Sequence, residues 1–365
     1  MADAWLLSVP QPPWRADVLE EVGVGAGSPV HLFLEGYDGP DLPQLTRGNG
    51  GALLSAPPAA MADLLGDLGE PWRTLGLQAL RPAPRGLRLP RGVLPLGERT
   101  YVMGIVNVTP DSFSDGGRYR AVERACEHAL ELQAAGADII DIGGESTRWY
   151  QRAHRDGTGG ADARLPLAEE LGRVVPVLEA LKGQIEVPIS IDTYKWPVAE
   201  AAIALGAEIV NDVTAGLADP EMLRGTARSG AAIVLMHAQD EPSYGNVGAE
   251  VRGHLRQRAR EAEAQGIAQD AIVLDPGIGF GKEPEHSYAV LRMLPSLRSL
   301  GYAVLSGPSR KSFLGAATGR PIDERLEATV AAVALSVALG ADIVRVHDVV
   351  QAVDAVRVAD RTVRG

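Results

Sequence analysis

The sequence predicts a (β/α)8 barrel preceded by a small α/β extension. Three observations point there. From residue 101 onward, short apolar runs alternate with stretches of helical spacing. Nearly every apolar run ends in a polar or charged side chain. Three of the helix-to-strand joins also share one entry signal, seen as AAGADIIDIGG, ALGAEIVNDV and ALGADIVRVHD. In each, Gly closes a helix and Ala followed by an acid opens a buried strand. An open doubly wound sheet is the alternative, but it expects one Gly-rich crevice rather than polar termini on strand after strand.

Residues 1–85 read as a separate region. AWLLSV (4–9), PVHLFLEG (29–36) and GALLSAP (51–57) have strand character, whereas RADVLEEVG (15–23) and AAMADLLGDLG (59–69) have helical spacing. Pro82-Ala83-Pro84 marks a linker, and the region before it holds no chemical constellation, so packing or assembly is its expected role. GLRLPRGVLPLG (86–97) is expected to form a hairpin that plugs the amino-terminal end of the barrel. Residues 86–365 are then one catalytic barrel. Its expected strands are 101–107, 138–143, 188–192, 209–213, 232–237, 272–275, 303–307 and 343–347. The helices between and after them are expected at 121–135, 165–182, 195–205, 220–229, 247–265, 284–299, 324–339 and 349–362. Eight units over this length match the ~250 residues of such barrels.

Composition limits the partners. The net charge of −12 argues against nucleic-acid and anionic-membrane partners, which need a basic footprint. The apolar stretches fall short of the ~20 residues that span a bilayer. The start, MADAWLLSVPQPPW, has neither a basic region nor a long apolar one, so a cytoplasmic location is expected. Cys126 is the sole cysteine, which excludes an intrachain disulfide, and its place on an apolar stripe makes it a core residue.

The strand ends carry the chemistry. They supply Asn107, Asp141, Asp192, Asn211-Asp212, His237, Asp275, Ser309-Arg310-Lys311, Arg345 and His347, which a barrel gathers on one face. A cap or solvated turn is the plainer reading for Asp212, Asp348 and Glu145. Asp192, Asn211 and Asp275 end strongly apolar runs, where an unpaired carboxylate costs several kcal/mol, so they need donors. Lys311 and Arg345 are the expected cations. Acidic and amide acceptors beside a lysine suit a flat heterocycle, because a 2-amino-4-oxo ring offers a carboxylate two N–H groups. Asn107, Ser309, Arg345 and His347 form a second set, which suits a phosphate or diphosphate. Asn107 is an oxygen ligand fit for Mg2+, which favours substrate phosphates over an all-protein cage. His237 lacks a His/Cys partner pattern and is expected to be a hydrogen-bonded residue of the active face. There is no zinc spacing, Gly-x-Ser-x-Gly elbow or Walker loop, so hydrolase and triphosphatase readings are weak.

Seven blocks in unbroken order, MGIVNVTPDSFSDGG, DIIDIGGESTR, ISIDTYK, IVNDVTAG, LDPGIGFGK, GPSRKSF and IVRVHDV, resemble the dihydropteroate synthase family. The resemblance covers about residues 86–365. It implies a (β/α)8 barrel of folate biosynthesis that joins p-aminobenzoate to 6-hydroxymethyl-7,8-dihydropterin diphosphate. By that resemblance Asp192, Asn211, Asp275 and Lys311 bind the pterin, and Met236 and Phe280 line its pocket. Asn107, Arg345 and His347 take the diphosphate and Mg2+. Phe113, Thr147, Arg148 and Ser312 shape the aminobenzoate site, Ser309 joins the substrate contacts, and Asp115 faces the developing cation. Catalysis would fall to Lys311, Asp115, Arg345 and His347, and the family implies a homodimer through outer helices. One block departs from the family: GGESTR usually leads into Pro-Gly, whereas here Trp149-Tyr150 and a long loop to residue 163 follow. A corrinoid-type pterin methyltransferase and an inert pterin-binding protein are the competing readings. The former leaves Ser309-Arg310-Lys311 and His347 without a role, and the latter expects losses from the anion set.

Overall fold

The computed structural model describes residues 3–6, 30–35, 37–38, 42–48, 51–56, 64, 67–68, 84, 86–108, 115–145 and 165–364. Four strands of the extension, β1 (Asp3–Leu6), β2 (Val30–Glu35), β3 (Leu45–Gly48) and β4 (Gly51–Ala56), pair antiparallel in the order β1-β2-β4-β3. Three of them fall on the expected runs, and β3 was not legible in the sequence. The expected helix at 15–23 and most of that at 59–69 lie outside the described residues.

The hairpin forms from β5 (Gly86–Leu89) and β6 (Gly92–Pro95), whose register pairs Leu87 with Leu94. It sits under the barrel. Leu87 is fully buried in the main core, and Tyr101 donates its hydroxyl to the Pro95 carbonyl at 2.6 Å. Arg88 pairs with Asp270 at 2.9 Å and Arg91 with Glu208 at 2.6 Å, both acids lying just before barrel strands. The hairpin therefore closes the amino-terminal end, as its position predicts.

The barrel strands are β7 (Tyr101–Asn107), β8 (Ile139–Gly143), β9 (Ile189–Asp192), β10 (Ile209–Asp212), β11 (Ala232–Met236), β12 (Ile272–Asp275), β13 (Ala303–Ser306) and β14 (Ile343–Val346). All neighbours are parallel, and β14 pairs with β7 to close the ring. Apart from Asn107 and Arg345 these strands are buried throughout, which explains their apolar runs and weak alternation.

The helices are α1 (Asp115–Ala134), α2 (Leu167–Leu181), α3 (Trp196–Ala204), α4 (Met222–Ser229), α5 (Val247–Ala264), α6 (Pro284–Arg292), α7 (Leu294–Arg298), α8 (Ser312–Thr318), α9 (Leu326–Ala338) and α10 (Val349–Arg364). Three of these differ from the sequence reading. The expected helix 284–299 divides at Met293, because Pro295 lacks the N–H that a continuous helix needs and instead opens α7. Helix α8 is extra, and α1 starts at Asp115 rather than at 121.

The repeated entry signal has a physical basis. Its glycines, Gly136, Gly206 and Gly340, have φ of 97°, 106° and 90°, a left-handed turn that side chains resist. The acids that follow bind across the barrel floor. Asp138 accepts the Val102 amide at 2.9 Å and Arg99 at 2.7 Å, and Asp342 accepts the Val304 amide at 3.0 Å and Arg298 at 2.6 Å. Glu208 takes both the amide and the guanidinium of Arg91. Asp138 and Asp342 thus satisfy amides at the starts of barrel strands, and Glu208 satisfies one in the hairpin turn. The amino-terminal face is built for stability, and the carboxyl-terminal face is left for chemistry.

Leu87→Ala removes the apolar anchor of the hairpin and is expected to cost ~2–5 kcal/mol in denaturant unfolding. A loss under ~1 kcal/mol would mean that the plug contributes little to the core.

Candidate active site

The carboxyl ends of β8, β9, β10, β12 and β14 bring a charged network together. Arg345, on β14, donates through Nε to Asp141 Oδ2 and through Nη2 to Asp192 Oδ2, each at 2.6 Å. Asn211 donates its amide to the same Asp141 oxygen at 3.1 Å. Strand register sets this up. Asn211 stands beside Asp192, and Asp192 beside Gly143, where a Cβ would come within 3.3 Å of the aspartate's own. Glycine at 143 leaves room for the Asp192 side chain.

Burial pushes the Asp192 carboxyl up to about 7 against the pull of Arg345, with Asp141, Glu170 and Asp212 adding to the rise. Burial would lower the Arg345 pKa, but Asp141 and Asp192 more than reverse this and raise it. A guanidinium held so firmly stays charged, and a planar fork suits two carboxylates. This pairing differs from the expectation that Arg345 serves mainly an anion. Two of its nitrogens are committed to acids, while Nη1 makes no hydrogen bond among the described residues.

Asp275, at the end of β12, accepts the Gly277 amide at 2.7 Å. Burial raises its pKa, opposed first by Lys311. Lys311 makes no hydrogen bond to it: its Nζ donates to the Ile278 carbonyl and lies 4.6 Å from the centroid of the Phe280 ring. Burial lowers Lys311 to about 8, with Asp275 countering. Met236 is the register partner of Asp275. Met236, Phe280, Tyr194 and Val213 form a small apolar cluster separate from the main core. The cluster stands beside the polar network, giving one apolar wall and a rim of acids and cations.

The remaining predicted residues lie around this centre. Ser309 Oγ accepts the His347 backbone amide at 3.2 Å and lies 3.0 Å from His347 Nδ1. The hydroxyl donates to or accepts from Nδ1 according to the imidazole tautomer. Withdrawal from water and the charges of Arg345 and Arg310 hold the His347 pKa below the usual range. The ring is thereby kept neutral. Arg310 has a φ of 55° and turns away from this group to pair with Asp348 at 2.5 Å. That left-handed residue separates Ser309 from Lys311. Asn107 ends β7 exposed, and Ser312 is the exposed first residue of α8. Phe113, Thr147 and Arg148 lie outside the described residues, and Asp115 opens α1 with its side chain outside them. Glu145 and Asp212 depart from the plainer reading, since neither caps a helix and neither is solvated. Asp212 is fully buried and accepts the Thr214 and Gly216 amides at 2.7 and 2.6 Å. Glu145 accepts the Leu165 amide at 3.1 Å, Tyr194 at 2.9 Å and Lys195 at 2.7 Å.

Tyr194 and Val213 were missed by the sequence reading. Both are apolar residues just past the ends of β9 and β10, on the face where the polar strand ends gather, and the reading looked there only for polar side chains. Asp141 was read as a strand end without being given its two partners.

The profile of the family described as pterin binding enzyme matches residues 103–347. A dihydropteroate synthase of Clostridium beijerinckii is 41% identical over 271 residues, covering 74% of this chain and 96% of that relative. One from Bacillus subtilis is 44% identical over 254 residues, covering 70% and 85%. Among solved structures, a Xanthomonas albilineans dihydropteroate synthase with 4-aminobenzoic acid superposes with a TM-score of 0.68 at 44% identity, covering 76% of this chain and 98% of that one. The same enzyme in complex with 7,8-dihydropteroate gives 0.65 at 43% identity, covering 74% and 95%. With the fold, the strand-end blocks and these relatives in agreement, this chain belongs to the pterin binding enzymes, among the dihydropteroate synthases.

Proposed function

We propose that this chain condenses 6-hydroxymethyl-7,8-dihydropterin diphosphate with p-aminobenzoate, giving 7,8-dihydropteroate and diphosphate. The observation that carries the reading is the pairing of an apolar wall, Met236 and Phe280, with buried acceptors at Asp192, Asn211 and Asp275. A pterin is flat and edged with N–H donors, so the wall stacks the ring and the acids accept its edge. Lys311 donates to the ring acceptors, and the Ser309-His347 pair and the free nitrogen of Arg345 face the anionic tail.

The reaction breaks one carbon–oxygen bond, and the electron pair leaves with the diphosphate. Arg345 and His347 stabilise that growing charge. The electron-rich dihydropterin delocalises the positive charge left at its exocyclic methylene, which Asp115 faces. The nitrogen of p-aminobenzoate then forms the new bond and sheds a proton. Phe113, Thr147, Arg148 and Ser312 hold this second substrate. No strong general base is required, because the amine attacks a cation.

Asn107, exposed at the mouth of β7, is an oxygen donor fit for Mg2+. Among the described residues no three His, Cys, Asp or Glu side chains cluster as a cage, which suits an ion shared with substrate phosphates. When bound, Mg2+ would neutralise charge on the departing diphosphate. A homodimer in the cytoplasm completes the reading. Leu335, Val350 and Val358, at 54%, 56% and 69% exposure on α9 and α10, support an interface there. No described helix is long and apolar enough to cross a membrane.

The protein mixed with both substrates is expected to release diphosphate and form dihydropteroate in equal amounts. Pterin binding without diphosphate release would overturn the reading in favour of a methyltransferase or an inert binder. Lys311→Ala is expected to weaken a pterin analogue in calorimetry by at least about tenfold, since Asp275 then loses its nearest cation in a dry pocket. Unchanged affinity would remove Lys311 from the site.

A further inference from the structure

Behind the Met236–Phe280 wall lies a buried lysine with no part in the chemistry above. Lys282, 8% exposed, stands on the loop between β12 and α6. Its Nζ lies 2.9 Å from His237 Nδ1 and donates to the carbonyl oxygens of Phe280 at 3.1 Å and His237 at 3.3 Å. An ammonium has three hydrogens and no acceptor, so these partners saturate it. While Lys282 is charged, His237 Nδ1 accepts and its ring proton sits on Nε2.

The two loops that Lys282 joins pack closely. A Cβ on Gly277 would fall 1.9 Å from the His237 carbonyl oxygen, and one on Gly281 would fall 1.9 Å from that of Gln239. Both glycines have positive φ, 66° and 58°. Glycine permits the approach, and lysine supplies the bond across it. Tyr244 encloses the group from the outer side and donates to the Gly281 carbonyl at 2.9 Å. His254, on α5, meets the His237 ring edge-on at 4.9 Å. Burial brings Lys282 down to about 7, countered by Asp275 and aided by Lys311. An apolar side chain would fill this space at less cost than an amine. What the amine adds is the hydrogen bonds.

We infer that Lys282 is a positioning residue for the pterin pocket: it ties the loop after β11 to the loop after β12 and so sets the Phe280 ring. The inference rests on reading that pocket as the pterin site. The line of action is short. Lys282 holds the Phe280 carbonyl, the Phe280 ring packs with Met236, and Lys311 Nζ lies over the same ring. A displaced ring therefore disturbs both the wall and the cation.

Lys282→Met and Phe280→Ala, singly and together, test this by calorimetry with 7,8-dihydropterin and by steady-state kinetics. Lys282→Met is expected to raise the pterin Kd and the KM for the pterin substrate about tenfold, as for a misplaced contact group. The KM for p-aminobenzoate should stay within about twofold. Added to Phe280→Ala, the lysine change should do little more, because residues acting through one another are not additive. If Phe280→Ala binds dihydropterin as the wild type does, the pocket reading falls, and the inference with it. If Phe280→Ala weakens binding but Lys282→Met does not, or if the two effects add in full, the inference alone is overturned. Lys282→Gln keeps two donors and should lie between wild type and Lys282→Met. If far-UV circular dichroism shows neither Lys282 variant folded, the lysine serves stability and the inference is overturned.

Discussion

The site depends on one guanidinium placed between two carboxylates at the mouth of the barrel. Asp141 is fully buried and Asp192 nearly so, and burial disfavours the charged form of Asp192. Arg345 answers both at 2.6 Å from across the closure of the ring, since β14 meets β7 and β7 meets β8. Burying such ions adds little net stability, because their desolvation offsets most of the attraction. What the arrangement secures is geometry, with acceptors fixed before a ligand arrives.

This network also orders the remaining parts. Asn211 is oriented by the Asp141 oxygen that Arg345 holds, so an amide whose two ends look alike is set one way round. Asp275 stands apart with Lys311 and is organised by its own loop, the one that carries Ile278 and Phe280. Ser309 and His347 form a third unit, bonded to each other, and Arg310 turns outward to Asp348. At the opposite face, acids of similar type accept backbone amides and arginines and carry no chemistry. Residue type alone therefore does not separate the two faces; position along the strand does.

The barrel and most of its site were legible because both rest on local rules. Buried parallel strands give apolar runs, left-handed turns demand glycine, and polar residues at run ends mark the open face, which is how Asp192, Asn211 and Asp275 stand out. Partners across the barrel were not legible. Arg345 was expected as a cation for the buried acceptors, and it does meet Asp192, but nothing along the chain says that it also meets Asp141, 204 residues away, because that follows from ring closure. Lys282 was hidden for the same reason, its His237 partner lying 45 residues back on another loop. The break at Met293 is different, since Pro295 is a local signal that the expected helix 284–299 did not take into account.

The central claim is that Arg345 favours the ionised form of Asp192 against its burial, and the pH dependence of dihydropterin binding tests it most directly. Dihydropterin lacks the diphosphate, so any role of Arg345 toward that group drops out. Binding needs carboxylates, so affinity falls as pH drops through their pKa. Removing the cation raises that pKa, so in Arg345→Met the acid-side loss of affinity should move to higher pH by about one unit or more. The same acid limb in Arg345→Met and wild type would contradict the account.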